Sequence, residues 1–187
     1  MQRIGVIYGS DREGRFCDVV GGWVRAQLSK DPDLDLDLID PLELRLPLRM
    51  GGTTTALRDL QGRLASADAF IVITPEYNRS FPATLKALID SANDAWHAKP
   101  VAFVSYGGVS GGLRAVEQLR LVFSELHAAT LRDSVAFPDA WDRFVDGRPV
   151  DEARALRALR QMVARLKWWS DALRQARQAR PYLATAA

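Results

Sequence analysis

The sequence predicts an α/β fold, a five-stranded parallel sheet held between two layers of helices. Three observations predict it. Strand-like and helix-like segments alternate five times. The strands in the middle of the pattern are apolar without a break, as strands buried on both faces are. The chain has 187 residues, which suits one domain spanning 1–187 with its own core. Apolar residues make up 48% and charged residues 26%, a globular balance that excludes disorder, collagen and coiled-coil arrays.

The elements follow in order. RIGVIY (3–8) is a continuous apolar strand, followed by a Gly/Ser-bearing turn and a helix from Phe16 to Leu28. LDLDLI (34–39) alternates with period two, which marks an edge strand with one wet face. A Leu-rich loop with Pro and Gly fills 40–52. A helix is expected from Thr53 to Ala65, with Thr53, Thr54 or Thr55 as its cap. AFIVIT (69–74) is the third strand, Pro75 to Pro82 a loop, and Ala83 to Trp96 a helix. VAFVSY (101–106) is the fourth strand, 107–112 a Gly-rich turn, and Leu113 to His127 a helix. ATLRDSVAF (129–137) is the fifth strand and 137–149 a loop. A long amphipathic helix covers about 151–177, with Leu156, Leu159, Val163, Leu166 and Leu173 on one face. Right-handed crossovers limit the topology, and five units fit the flavodoxin-like order 2-1-3-4-5, a three-layer sandwich. Ligands of such sheets sit beyond the carboxyl ends of the strands, at the switch between strands 1 and 3.

Composition narrows the function. A lone cysteine, Cys17, excludes a disulfide framework and a Cys-rich zinc site. The two histidines, His97 and His127, leave little for a metal. No run is long enough to span a membrane, and the N-terminus has no signal-peptide layout, so a cytoplasmic location is expected. The last 37 residues hold eight Arg/Lys and three Asp/Glu, a net +5 against −3 for the first 150. Nucleic acid could bind such a helix, but a solvated helix face is the expected reading. Trp168 and Trp169 give that helix a bulky edge, suited to packing on the sheet or to touching a second subunit.

Three loops lie where chemistry is expected. Gly9-Ser10-Asp11-Arg12-Glu13-Gly14-Arg15 leads into a helix N-terminus, where backbone N–H groups and the dipole favour an anion. Ser10 adds a hydroxyl, and Arg12 and Arg15 add the planar cation that suits phosphate. No Lys-Ser/Thr pair follows the second glycine, so this is not a nucleoside triphosphatase loop. In the second loop, 74–82, Tyr77 can meet a planar ring and Asn78 can both donate to and accept from its edge. The third, Ser105 to Gly112, carries four glycines that let a ligand approach the backbone. A Gly-x-Ser-x-Gly match at 108–112 suggests a hydrolase elbow. The later histidine, His127, lies on the very next helix, which excludes the required triad. Trp23 stands where a Cys17 phosphatase loop would need arginine, so Cys17 is expected to face the core, His97 to end a helix, and His127 to sit as a cation at a helix C-terminus.

Together the segments GSDREGR (9–15), TPEYNRSFPATLKALID (74–90) and KPVAFVSYGGVSGGLRAVEQLR (99–120) resemble the NADPH-dependent FMN reductase family, which includes quinone and chromate reductases. The resemblance covers about 1–137. It implies FMN as cofactor, NADPH or NADH as co-substrate, a small-molecule electron acceptor, and a homodimer or homotetramer. No nucleic acid, membrane or metal is implied. By motif, Ser10, Arg12 and Arg15 would hold the FMN phosphate. Pro75, Glu76, Tyr77 and Asn78 would line the isoalloxazine, and Ser105, Gly107, Gly108 and Gly111 its pyrimidine side. The flavin would carry the chemistry, so no catalytic side chain is expected. A flavodoxin-like electron carrier without NAD(P)H activity and a flavin-free binding module stay open on the residues alone. No residue selects NADPH over NADH, and Arg79 and Arg114 are the positional candidates for a 2′-phosphate.

Overall fold

In the computed structural model, which describes residues 1–44 and 54–185, the continuous apolar runs lie in the middle of the sheet. β1 (Gln2–Tyr8), β3 (Ala69–Pro75) and β4 (Pro100–Tyr106) are buried along their length except at Arg3. β2 (Leu34–Ile39) and β5 (Ala129–Phe137), whose burial is broken, take the two edges. All pairings are parallel and the order is β2-β1-β3-β4-β5. This is the expected flavodoxin-like order, and each strand lies within one residue of its expected bounds.

Successive side chains point to opposite faces, so the sheet separates two cores. Val6, Ile71 and Val104 meet α1 (Cys17–Leu28) and α6 (Glu152–Ala179) through Val20, Trp23, Leu159 and Met162. Ile7, Val72 and Phe103 meet α3 (Thr55–Ser66), α4 (Ala83–Asp90) and α5 (Leu113–Glu125) through Leu60, Leu64, Leu85, Leu88 and Phe123. A short α2 (Pro41–Leu44) follows β2. Thr54 caps α3, accepting from the Leu57 amide at 3.1 Å. Thr53 and the rest of 45–53 lie outside the described residues.

Two helices are shorter than the periodicity predicts. α4 ends at Asp90, and the chain turns back through a 3₁₀ turn, Asp94–Trp96. A continued helix would carry Trp96 about 9 Å beyond Asp90 along its axis. The turn instead lets the Trp96 indole donate to the carbonyls of Ile89 (3.1 Å) and Ala92 (2.7 Å). α5 ends at Glu125 in a Schellman motif. The amide of Ala128 bonds the carbonyl of Phe123, that of His127 bonds Ser124, and His127 takes φ 55°. His127 is thus the residue that terminates the helix, and its ring packs against His97 and Tyr182 with centroids 5.1 and 5.6 Å away.

The segment 137–149 is not a plain loop. It holds a 3₁₀ turn, Ala140–Asp142, and a hairpin of β6 (Phe144–Val145) and β7 (Arg148–Pro149). Asp146 and Gly147 make its two-residue turn with φ of 48° and 75°. Asp-Gly between two short strands is the sequence signal for such a turn.

α6 buries Ala155, Leu159, Met162, Leu166 and Ser170. The predicted Leu156, Val163 and Leu173 flank this seam, half-buried. Its cations are not simply solvated. Arg165 pairs with Asp133, and Lys167 with Asp31 and Asp33. Arg174 and Arg177 reach Asp68. The positive tail and the negative body therefore meet along the helix. Among the described residues no helix is long and apolar enough to cross a membrane.

Candidate functional site

The parallel sheet delivers the three predicted loops to the carboxyl end of its strands. β1 ends at Tyr8, β3 at Pro75 and β4 at Tyr106, and the register pairs Tyr8 with Ile73 and Pro75 with Tyr106.

The first loop leaves the sheet at Gly9, whose amide bonds the Ile73 carbonyl at 2.7 Å. A Cβ at Gly9 would lie 2.9 Å from that same oxygen, so a larger residue would push the loop off β3. Ser10 is fully buried, and its Oγ lies 3.0 Å from the Tyr77 hydroxyl. The first two loops are joined there. Arg12 is exposed, with its guanidinium 5.5 Å from the centre of the Tyr77 ring. α1 opens at Phe16 with no side-chain cap, whereas Thr54 and Asp151 cap α3 and α6. The first amides of α1 thus lack a side-chain acceptor, and those of Asp18 and Val19 bond the carbonyls of Arg15 and Phe16 instead.

Arg15 lies elsewhere. Its side chain is 5% exposed and runs beneath the loop. Asp40, just after β2, takes both terminal nitrogens at 2.7 and 2.5 Å. Asp18 accepts from Nε and Nη2, and the Ser10 carbonyl accepts from Nη1 at 2.5 Å. The guanidinium expected to face a phosphate is engaged by two carboxylates and the loop's own backbone. Its charge is locked on by the Asp40 hydrogen bonds, which outweigh the burial that opposes it. Cys17 faces the core as expected. Its thiol donates to the Ile73 carbonyl at 3.6 Å, and burial pushes its pKa up to about 11, so it is not a nucleophile at neutral pH.

The second loop is a miniature hairpin. Tyr77 and Ser80 exchange amide bonds of 2.8 and 2.9 Å around Asn78 and Arg79, both at positive φ (49° and 68°). Asn78 and Arg79 stand exposed at its tip. The Glu76 carboxylate turns away from the tip, toward the third loop and α5. It accepts from Ser110 Oγ at 2.6 Å, Arg114 Nη1 at 3.0 Å and the Arg114 amide at 3.3 Å. Burial alone would raise its pKa, but these bonds hold it below the usual carboxylate range.

The third loop is braced from within and from behind. Ser105 Oγ donates to the Gly111 carbonyl at 2.8 Å. The Gly107 amide bonds the Phe137 carbonyl, and the amides of Asp139 and Ala140 bond the carbonyls of Gly108 and Gly107. A Cβ on Gly108 would meet no atom within 4 Å, so this backbone is open to a ligand. Gly112 has φ 84°, and a Cβ there would stand 2.7 Å from the Ser105 Cβ and 2.8 Å from the Tyr106 nitrogen. Gly112→Ala is expected to cost about 2 kcal/mol, read by urea unfolding. Gly62→Ala on the open face of α3 is the control, expected to be stabilising by about 0.5–1 kcal/mol. Equal effects would remove the argument from Gly112. Ser110, the serine of the elbow-like match, donates to Glu76, and both histidines lie together at the loop after α4 and the end of α5.

Sequence reasoning missed Asp40 and Gln118, and it placed Ser110 in an elbow-like match and Arg114 at a 2′-phosphate without seeing that both bond Glu76. Gln118 accepts from Ser80 Oγ and donates to the Arg79 carbonyl, both at 2.6 Å. Positions 114 and 118 share one face of α5, a turn apart, and that spacing was the available signal, while Ser110 precedes the helix. Phe16 and Trp141 were missed too. Phe16 contacts Tyr106, Trp141 and Phe144, with ring centroids 6.0, 6.2 and 5.6 Å apart, and Trp141 is 60% exposed. Among the described residues no group of three His, Cys, Asp or Glu could hold a metal.

The residues fit a flavin mononucleotide in kind. An uncapped helix start with Ser10 and Arg12 suits a phosphate, and an open Gly108 beside the Tyr77–Ser80 hairpin suits a planar ring. The comparisons point to the same cofactor. The sequence pattern of the family described as NADPH-dependent FMN reductase matches residues 2–142. An NAD(P)H-dependent FMN reductase of Schizosaccharomyces pombe is 32% identical over 158 residues, covering 78% of this chain and 77% of that one. An NADPH:quinone oxidoreductase of Arabidopsis thaliana is 35% identical over 138 residues, covering 67% and 69%. An FMN-dependent NADPH-azoreductase of Staphylococcus haemolyticus is 29% identical over 155 residues, covering 76% and 80%. In structure, a flavoenzyme NAD(P)H:(acceptor) oxidoreductase from Paracoccus denitrificans superposes with a TM-score of 0.69 at 24% identity, covering 91% of this chain and 98% of that one. That likeness shares the fold.

Proposed function

Since the chain belongs to the NADPH-dependent FMN reductase family and is an oxidoreductase dependent on FMN and NAD(P)H, we propose that the three loops form its flavin site and that a small planar acceptor such as a quinone takes the electrons. The observation that carries this reading is the union of the loops at the carboxyl end of the sheet, with Ser10 bonded to Tyr77 and Glu76 bonded to Ser110 and Arg114.

Ser10 and Arg12, with the first amides of α1, would hold the FMN phosphate. Arg15 would act beneath them, fixing the Ser10 carbonyl and so the shape of the loop. Pro75, Glu76, Tyr77 and Asn78 would border the ring, Tyr77 through its aromatic side and Asn78 through its amide. Gly107, Gly108 and Gly111 would let the backbone approach, with Ser105 holding the loop's curve. Bound flavin supplies hydride acceptance from NAD(P)H and electron donation onward. The protein's part is to bind, orient and present donors to developing negative charge. A homodimer or homotetramer in the cytoplasm completes the proposal. Exposed Val109, Leu113 and Leu121, beside or on α5, are the residues such an assembly would cover.

The test is gel filtration with added FMN, then NADPH under anaerobic conditions, then a quinone. Flavin should co-elute, bleach with the nicotinamide and recolour with the quinone. Flavin that bleaches but is not reoxidised by quinones would overturn the acceptor. Arg12→Ala is expected to raise the FMN Kd about tenfold to a hundredfold, the worth of one charge-assisted bond. An unchanged Kd would remove Arg12 from the phosphate site.

A further inference from the structure

α5 begins without a cap of its own. Its N-cap position is Gly112, which has no side chain to offer, and a Cβ there would stand 2.7 Å from the Ser105 Cβ, which excludes the residues that would. The missing acceptor arrives from the second loop. Glu76 lies 38 residues from Arg114 in sequence and accepts from its amide, the second of the helix. A carboxylate in that place satisfies an orphan donor and complements the helix dipole. The same carboxylate takes the Ser110 hydroxyl and the Arg114 guanidinium. It is 9% exposed, while Arg114 is 39% exposed. One turn further along, Gln118 grips the Tyr77–Ser80 hairpin through Ser80 and the Arg79 carbonyl.

We infer that Glu76 is a positioning residue, a cap supplied to α5 from the neighbouring loop, which locks the second and third loops into one rigid slot before any flavin enters. The inference rests on the proposed flavin site for its consequence, but the lock itself stands on the contacts above. Two loops held by their own hydrogen bonds could still move relative to each other. Glu76, Ser110, Arg114 and Gln118 remove that freedom, so less ordering is left to oppose ligand binding. Glu76 then contributes to flavin affinity without needing to touch the flavin.

The test is hydrogen exchange of the flavin-free chain, paired with FMN titration by fluorescence quenching. Glu76→Gln keeps the size and weakens the acceptor. It should speed exchange in the 107–114 segment about tenfold, leave β1 and β3 unchanged, and raise the FMN Kd about tenfold. Arg114→Met should do much the same, and the double variant should be little worse than either single one, because both break one unit. Glu76→Asp, one methylene shorter, should restore part of the protection. Unchanged exchange in Glu76→Gln, or strictly additive effects in the double variant, would overturn the lock. Faster exchange with an unchanged Kd would overturn its role in positioning. A parent protein that binds no FMN would instead overturn the flavin site, with the exchange result still reading the lock.

Discussion

Asp40→Ala is expected to cost about 3–5 kcal/mol of folding stability, the cost of leaving a buried charge without its partner. The Arg15 and Asp40 side chains are 5% and 7% exposed, and their paired bonds are 2.5 and 2.7 Å long. Without Asp40, the guanidinium keeps the largely exposed Asp18, the Ser10 carbonyl and the Tyr8 ring 5.4 Å away. Urea unfolding at neutral pH measures the loss as a lower midpoint at an unchanged slope. The double variant Arg15→Met/Asp40→Ala should recover most of it, because removing both charges leaves none uncompensated. A double variant as unstable as the single one would locate the cost in lost packing. The pH dependence has a definite sign. Burial alone would raise the Asp40 carboxyl, but the bonds from Arg15 and the Leu42 amide hold it below the ordinary range. Its folded pKa therefore lies below its unfolded value of about 3.9. The pair's contribution is fully present above that value and is lost as the pH falls through the folded pKa. The single variant should lack this share of the acid destabilisation.

Trp96→Ala should be equally severe, about 3–5 kcal/mol. The side chain is fully buried, with Phe70 and Phe123 at centroid distances of 4.6 and 5.3 Å. Phe103 extends the cluster through Phe123. Trp96→Phe tells packing from hydrogen bonding. It keeps most of the aromatic contact but leaves the carbonyls of Ile89 and Ala92 without the indole donor, about 1–3 kcal/mol. A phenylalanine variant as stable as the parent would mean that those two bonds contribute nothing. The readout is again urea unfolding.

The fold was legible where local pattern and burial coincide. The five strands, their order and the three loops could be read because unbroken apolar runs belong in the middle of a parallel sheet and the alternating LDLDLI at its edge. Legibility failed where a residue's partner is set by topology. Arg15 reads as a free cation in sequence, and only the parallel pairing of β1 with β2 brings Asp40 beneath the first loop. Glu76 reads only as a ring-lining residue, and its hold on α5 shows once the helix is seen to start beside it. The basic tail likewise reads as a solvated face until Asp31, Asp33, Asp68 and Asp133 are found along its path. Periodicity overran the ends of α4 and α5 because it cannot sense Trp96 turning back to find carbonyls, or a histidine taking the left-handed terminating position. The Asp146-Gly147 hairpin is different in kind, since its signal was present and local.

The docking of α6 also orders the chain in time. Synthesis delivers all five strands before this helix, and until it arrives the sheet face that will hold Leu159, Met162 and Leu166 is covered by α1 and by Ala140 and Phe144. That unfinished face is the one most open to wrong partners on the ribosome. The carboxylates around it carry a charge opposite to that of the emerging segment, and attraction between the two acts before any leucine makes contact. The long helix is thus guided by its cations and secured by its apolar seam, a division of labour between finding the place and keeping it.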